Sequence, residues 1–189
     1  MPYRLPAVLS RVDLPEAELC AALLDGELYR VDECFSPCDE VERPITRANA
    51  LAAITPSRLI AEQRTAAWVH GALGVPPTVH QFCVDARARA RPPRTRRISV
   101  REVEIDGSEV QSFGGVRVTT PLRTVADLAR FSPAFGCEER LIVTALLAID
   151  GFGIDECRLA LNRRHNLPGK RRALRRIAAS LEAAGLSRR

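Results

Sequence analysis

At 189 residues, with 46% hydrophobic and 27% charged side chains, the chain has the composition of one folded domain plus a small appendage, which excludes a disordered tail. No run approaches the roughly 18 apolar residues of a membrane span, and the opening MPYRLPAVLSRVDLPE lacks the uninterrupted apolar stretch of a secretory signal. The cytoplasm is therefore the expected compartment, with no membrane partner, and the six cysteines are expected as reduced, mostly buried thiols rather than bridges.

The net charge of +5 hides an uneven distribution. Residues 1–43 hold four positive and ten negative side chains, so the remainder carries +11. An acidic head on a basic body implies that the two face each other or face different partners.

The head starts with a predicted short helix over 15–25, with Asp13 as its expected cap, Pro15 in the first turn, acids near the positive end of the dipole and Gly26 as terminator. ELYRV and CFS follow as two brief strands around Asp32 and Glu33. Helix then hairpin is the pattern of a winged helix, but too few residues precede it for the other helices of that fold. The head is read as a degenerate winged-helix-like segment, residues 1–43.

Beyond the link DEVERP, residues 44–189 alternate helix and strand. TRANALAAI is predicted helical, RLIA a strand, and EQRTAAWVHGAL a helix with Ala66, Val69, His70 and Leu73 on one side. TVHQFCV, ISVREV, EVQSF and VRVTT are strand-like, the last two joined by Gly114-Gly115, a good two-residue hairpin turn. In VTTPLRTVADLAR the period changes from two to 3.6, with Thr120 as cap and Pro121 in the first turn. Helices are predicted at CEERLIVTALLAI, IDECRLALNRR and PGKRRALRRIAASLEAAG; the last should turn Leu174, Ile177, Ala178 and Leu181 to the core. The expected class is α+β: a small sheet with packed helices and a C-terminal helical region.

Two basic segments are the candidate contact residues for nucleic acid or an acidic partner. The stretch RARARPPRTRR supplies Arg87, Arg89, Arg91, Arg94, Arg96 and Arg97, with Arg101 behind it, and the last helix supplies Arg171, Arg172, Arg175 and Arg176 on its outer side. If the strand before it continues, Arg87, Arg89 and Arg91 line one side until Pro92-Pro93 turns the chain.

Catalytic constellations are missing. The single lysine, Lys170, has no acid two residues before it, so the acid-x-Lys arm of a restriction-type nuclease is absent. Gly107-Ser108 is not followed by the Asp-x-Asp that would hold magnesium, and no phosphate-cradling loop or Gly-x-Ser-x-Gly elbow occurs. A zinc set of Cys34, Cys38, His80 and Cys83 fails because strand positions three apart point to opposite faces. His70 reads as a packing histidine, and His80 has no acid partner visible in the sequence. Thr119, Thr120 and Thr124 read as caps and strand ends, and Arg123 with Asp127 as an intrahelical pair. No metal, cofactor or turnover is expected.

The order RLIAEQRTAAWVHGALGVPP, strands, GGVRVTTPLRTVADLARF, and helices ending in LPGKRRALRRI resembles the AbiEi family of antitoxins, in particular its short actinobacterial members, over about residues 45–180. GGVRVTTPLRTVADLAR is the most specific element. The resemblance implies the antitoxin of a type IV toxin–antitoxin system: a winged-helix segment that represses its own operon, and an α/β domain that counters a nucleotidyltransferase-like toxin. It implies no enzyme. The head departs from that pattern, because its helix offers Glu16, Glu18 and Asp25 where a reader of DNA needs cations. Two readings follow: a regulator that contacts DNA through its arginines, or a module that docks an acidic partner, with the acidic head covering the arginines in the partner's absence.

Overall fold

A computed structural model describes residues 6–56, 58–87, 96–163 and 167–185. The strand that holds TVHQFCV stops at Asp85 and Arg87 lies in a turn, so the strand does not continue to Arg87; Arg89, Arg91 and Arg94 lie outside the described residues.

The head is α1 (Glu16–Leu24) followed by the hairpin β1 (Leu28–Val31) and β2 (Cys34–Pro37). Gly26, at φ +76, ends α1 and lets Glu27 N–H donate back to the Ala22 carbonyl at 2.9 Å. Asp13 does not cap α1. Its carboxylate accepts from Ser10 N–H and Oγ–H at 2.8 and 2.9 Å, which fixes the turn before the helix. Leu9 pairs with Phe35 on the hairpin's outer side, and Leu9, Leu19, Leu28 and Phe35 form a small apolar cluster of their own. Val31 and Cys34 point the other way, into the main core.

The body holds α2 (Pro44–Ala52), β3 (Ile60–Ala61), α3 (Gln63–Val69), β4 (His80–Asp85), β5 (Ile98–Val103), β6 (Val110–Phe113), β7 (Val116–Thr119), α4 (Pro121–Phe131), α5 (Cys137–Asp150), α6 (Ile154–Asn162) and α7 (Lys170–Ala183). Its five strands make one mixed sheet in the order β5-β4-β3-β7-β6, with β4–β5 and β3–β7 parallel and the other neighbours antiparallel. Gly114 and Gly115 both have positive φ, +56 and +88, as a two-residue hairpin between β6 and β7 demands. Ala61, Phe82, Val84 and Val118 face the main core; Ile60 and Cys83 face a smaller cluster with Ile105.

The sheet and the helical bundle meet at α4. The Thr120 hydroxyl accepts from Arg123 N–H at 3.3 Å at its N-terminus, and Pro121 occupies the first turn, as expected. Every residue from 121 to 130 except Leu122 is buried, because α4 packs against α3, α5, α6 and α7 together. A helix covered on all sides that nonetheless carries Arg123, Asp127 and Arg130 must satisfy three charges internally. This mixed α+β fold thus has a helix-and-strand region at its start and a helical bundle at its end. Among the described residues, no helix is long and apolar enough to cross a membrane.

Candidate functional site

Arg101 is the expected contact residue that the structure relocates most. It leaves β5 in register with Cys83 and closes on Glu62 with two bonds, Nε to Oε1 at 2.5 Å and Nη2 to Oε2 at 2.6 Å. Nη2 also donates to Asp127 Oδ2 at 2.8 Å, and the guanidinium lies 4.2 Å from the centre of the Phe131 ring. The same Asp127 oxygen accepts from Arg123 Nε at 3.0 Å, and Oδ1 pairs with Arg130 at 3.5 Å. Arg123 then reaches Glu109 at 2.8 Å. Three guanidiniums and three carboxylates therefore neutralise one another where the sheet meets α4. The Arg123–Asp127 pair expected within one helix is one link of this network.

Its electrostatics follow from burial. Glu62 and Asp127 side chains are 2% and 0% exposed. Burial pushes the Glu62 carboxyl above its ordinary range, against the bond and charge of Arg101, which pull it down. Burial lowers the Arg101 guanidinium, but its bonds and charges from Glu62 and Asp127 outweigh that and leave it raised. The Cys83 thiol nearby is pushed up, first by burial and then by the Glu62 and Asp127 charges, and is inert as a nucleophile.

The other basic residues divide. Arg97 pairs with Asp32 at 2.9 Å and with Glu33, so the acidic hairpin of the head holds the end of the basic stretch. Arg87 makes loose surface pairs with Asp85 and Asp106 at 3.7 and 3.4 Å. Arg96 is exposed and makes no ion pair among the described residues.

In α7 the buried side is Ala173, Ile177, Ser180 and Leu181, with Leu174 and Ala178 half-buried. Arg172 and Arg176 are not simply outer-face residues. Arg172 bonds the Arg130 carbonyl, and Arg176 bonds the Ala129 and Ser132 carbonyls at 3.1 and 3.0 Å, so both serve the C-terminal end of α4. Arg171 and Arg175 face solvent without an ion pair among the described residues.

His80 does have an acid partner, supplied by the head. Asp32 Oδ2 lies 3.1 Å from His80 Nε2, and His80 Nδ1 lies 3.4 Å from Thr65 Oγ1. Burial acts to raise the Asp32 carboxyl, but the bonds and charges of His80 and Arg97 hold it below its ordinary value. The Thr–His–Asp line has the members of a hydrolytic triad without the access: Thr65 and His80 are fully buried, and Thr65 Oγ accepts from Gln81 N–H at 2.8 Å. His70 is likewise a packing group. It lies 2.8 Å from the Thr119 carbonyl, and burial holds its imidazole below the ordinary value against that bond. Thr119 and Thr124 bond each other at 2.7 Å and are buried. Among the described residues no three His, Cys, Asp or Glu side chains converge as for a metal.

Nothing local in the chain signals Asp32–His80 or Glu62–Arg101, whose members stand 48 and 39 residues apart.

Comparison with known proteins agrees with this geometry. The chain is similar to the solved structure titled "Crystal structure of RV2827C protein from Mycobacterium tuberculosis", with a TM-score of 0.50 and 15% identity over 96% of this chain and 73% of that one, a likeness of fold alone. No curated protein matches the chain. Residues 59–149 match the AbiEi antitoxin C-terminal domain, and domains of this kind are non-catalytic regulatory modules, consistent with a protein that is not an enzyme. The matched segment runs from just before β3 into the last turn of α5 and contains the Glu62–Arg101–Asp127 network, so this part of the chain is similar to the AbiEi antitoxin C-terminal domain.

Proposed function

We propose that the chain is an antitoxin-type transcriptional regulator of a type IV toxin–antitoxin pair, acting in the cytoplasm by binding and not by turnover. Residues 1–43 are its degenerate winged-helix-like head, and 44–189 its AbiEi-like body, of the short actinobacterial kind. The family match over 59–149 carries this reading. The burial of His70, His80, Thr65, Thr119 and Thr124 supports it, since each candidate base or nucleophile is spent on packing.

DNA is gripped, on this reading, through the cations left in solvent: Arg96, Arg171 and Arg175, joined by Arg89, Arg91 and Arg94. Three to six phosphate contacts give a log–log salt slope of about −3 to −5. The acidic α1 takes no part, because Glu16 and Glu18 stand exposed on it. The test is anisotropy titration of duplex operator-region DNA at graded salt, with Arg171→Glu/Arg175→Glu beside Arg101→Met. The first pair should weaken binding and flatten the slope. A flat slope in the unmodified protein removes DNA as the partner.

One contact favours a second reading, in which the body docks an acidic protein, such as the toxin, without DNA. The Asp32 and Glu33 carboxylates already occupy Arg97, as an acidic partner would. Removing the whole head is a poor test, because Val31 and Cys34 belong to the main core. Glu33→Gln leaves that core intact and should raise affinity for polyglutamate. Unchanged affinity counts against a covering role.

A further inference from the structure

The largest described cleft lies where head and body meet and is not part of the buried charge network. It encloses about 560 Å³, within the ~300–1,000 Å³ typical of ligand clefts. One wall is the turn at 10–12, another the hairpin tip at 33–34, a third the end of α2 at 53–54, and the last the entry to β5 at 96–98. Val12, Ile54 and Ile98 give it apolar surface, and Val12 stands 95% exposed on a turn fixed by Asp13. Arg11, Arg96 and Arg97 contribute cations to the lining against the single carboxylate of Glu33. Among the described residues Arg11 is held by a surface pair with Glu16, which solvent and salt weaken.

We infer that this cleft docks an acidic amphipathic helix of a partner protein, its apolar side seated on Val12, Ile54 and Ile98 and its carboxylates on Arg96 and Arg11. The inference rests on the second reading above and gives it a place. Charge complementarity selects the sign of the partner, and the apolar floor selects a peptide over nucleic acid: among the described residues the lining has no aromatic ring on which a base could stack. Apolar anchors at helical spacing with acids between them are what such a groove recognises. Glu33, beside Arg97 at the rim, occupies the position of a ligand carboxylate, so an arriving acidic helix competes with the head's own hairpin for Arg97.

The probe is a fluorescein-labelled synthetic helix with Leu at i, i+3, i+4 and i+7 and Glu elsewhere, titrated into the full chain and followed by anisotropy. Controls are a scrambled peptide of the same composition, a Leu/Lys counterpart and a short DNA duplex as competitor. The Leu/Glu helix should bind and the other two peptides should not. Val12→Glu should weaken it about ten-fold and Arg96→Glu about five- to ten-fold, while Glu33→Gln strengthens it. Since Val12 is exposed, its variant should melt with the unmodified protein. Arg171→Glu/Arg175→Glu should leave peptide affinity unchanged.

Equal binding of the scrambled peptide overturns the inference, as does indifference to Val12→Glu and Arg96→Glu, or displacement of the helix by the duplex. If the helix fails to bind while Glu33→Gln still raises polyglutamate affinity, the cleft is wrong and the acidic-partner reading stands. If neither responds, both fall.

Discussion

Replacing Arg101 by Met separates a guanidinium that grips a partner from one that holds the fold. Asp127 keeps Arg123 and Arg130, but Glu62 loses both of its short charged bonds and keeps the Gln63 amide at 3.3 Å and the weak Cys83 thiol contact. An orphaned charge at that depth costs about 3–5 kcal/mol, a large part of the roughly 5–15 kcal/mol that stabilises a domain. At about 2–4 °C per kcal/mol for this size, Tm should fall by about 6–20 °C at pH 7.5. The loss should depend on pH with a definite sign. Burial already raises the Glu62 carboxyl, and without Arg101 it rises further. A carboxyl raised in the folded state contributes stability that is complete below its unfolded value, near 4.3, and is lost as pH climbs through the folded one. The deficit should therefore narrow from pH 7.5 toward pH 4.5, and Glu62→Gln in the Arg101→Met background should recover part of it. Circular dichroism melts of the three proteins at the two pH values decide the matter. A Tm change under about 2 °C at neutral pH, or a deficit that does not narrow on acidification, refutes the reasoning.

Asp32→Asn should cost about 1.5–3 kcal/mol at neutral pH, the range for hydrogen bonds to charged groups, because His80 and Arg97 lose a carboxylate that takes two of their bonds. Asparagine tolerates the φ of +55 at this position, so backbone strain does not obscure the result. The Asp32 carboxyl is held low in the fold, so its contribution is present above the unfolded value near 3.9 and lost as pH falls through the folded one; urea titrations at pH 7 and pH 3 should show the gap between the two proteins closing in acid. Thiol labelling of the native protein should be fast at exposed Cys38 and Cys137 and should wait for unfolding at Cys34, Cys83 and Cys157. Burial pushes Cys34 to about 11 and Cys157 to about 12, so little thiolate exists at pH 8. Mass spectrometry of timed samples reads the order, and early labelling of Cys157 would show the bundle opening on its own.

Local chemistry in the sequence determined the elements. Proline and threonine at 120–121, paired glycines at 114–115, and the change of period from two to 3.6 mark the β6–β7 hairpin and α4, and the helix-then-hairpin order of the head is equally plain, because caps, turns and amphipathic spacing act within a few residues. The same composition also showed an acidic head on a basic body. What a charged residue faces was decided only by the tertiary structure. Arg101 read as a surface cation because nothing near it in the chain is buried and acidic; Glu62 and Asp127 reach it only when β3, β5 and α4 come together. Arg172 and Arg175 look alike as letters, yet one caps α4 and the other meets solvent. Hydrogen bonds and ion pairs are short-ranged while their members here are far apart in sequence, so the division of the arginines into those that hold the protein together and those left in solvent arises in the packing of sheet against bundle.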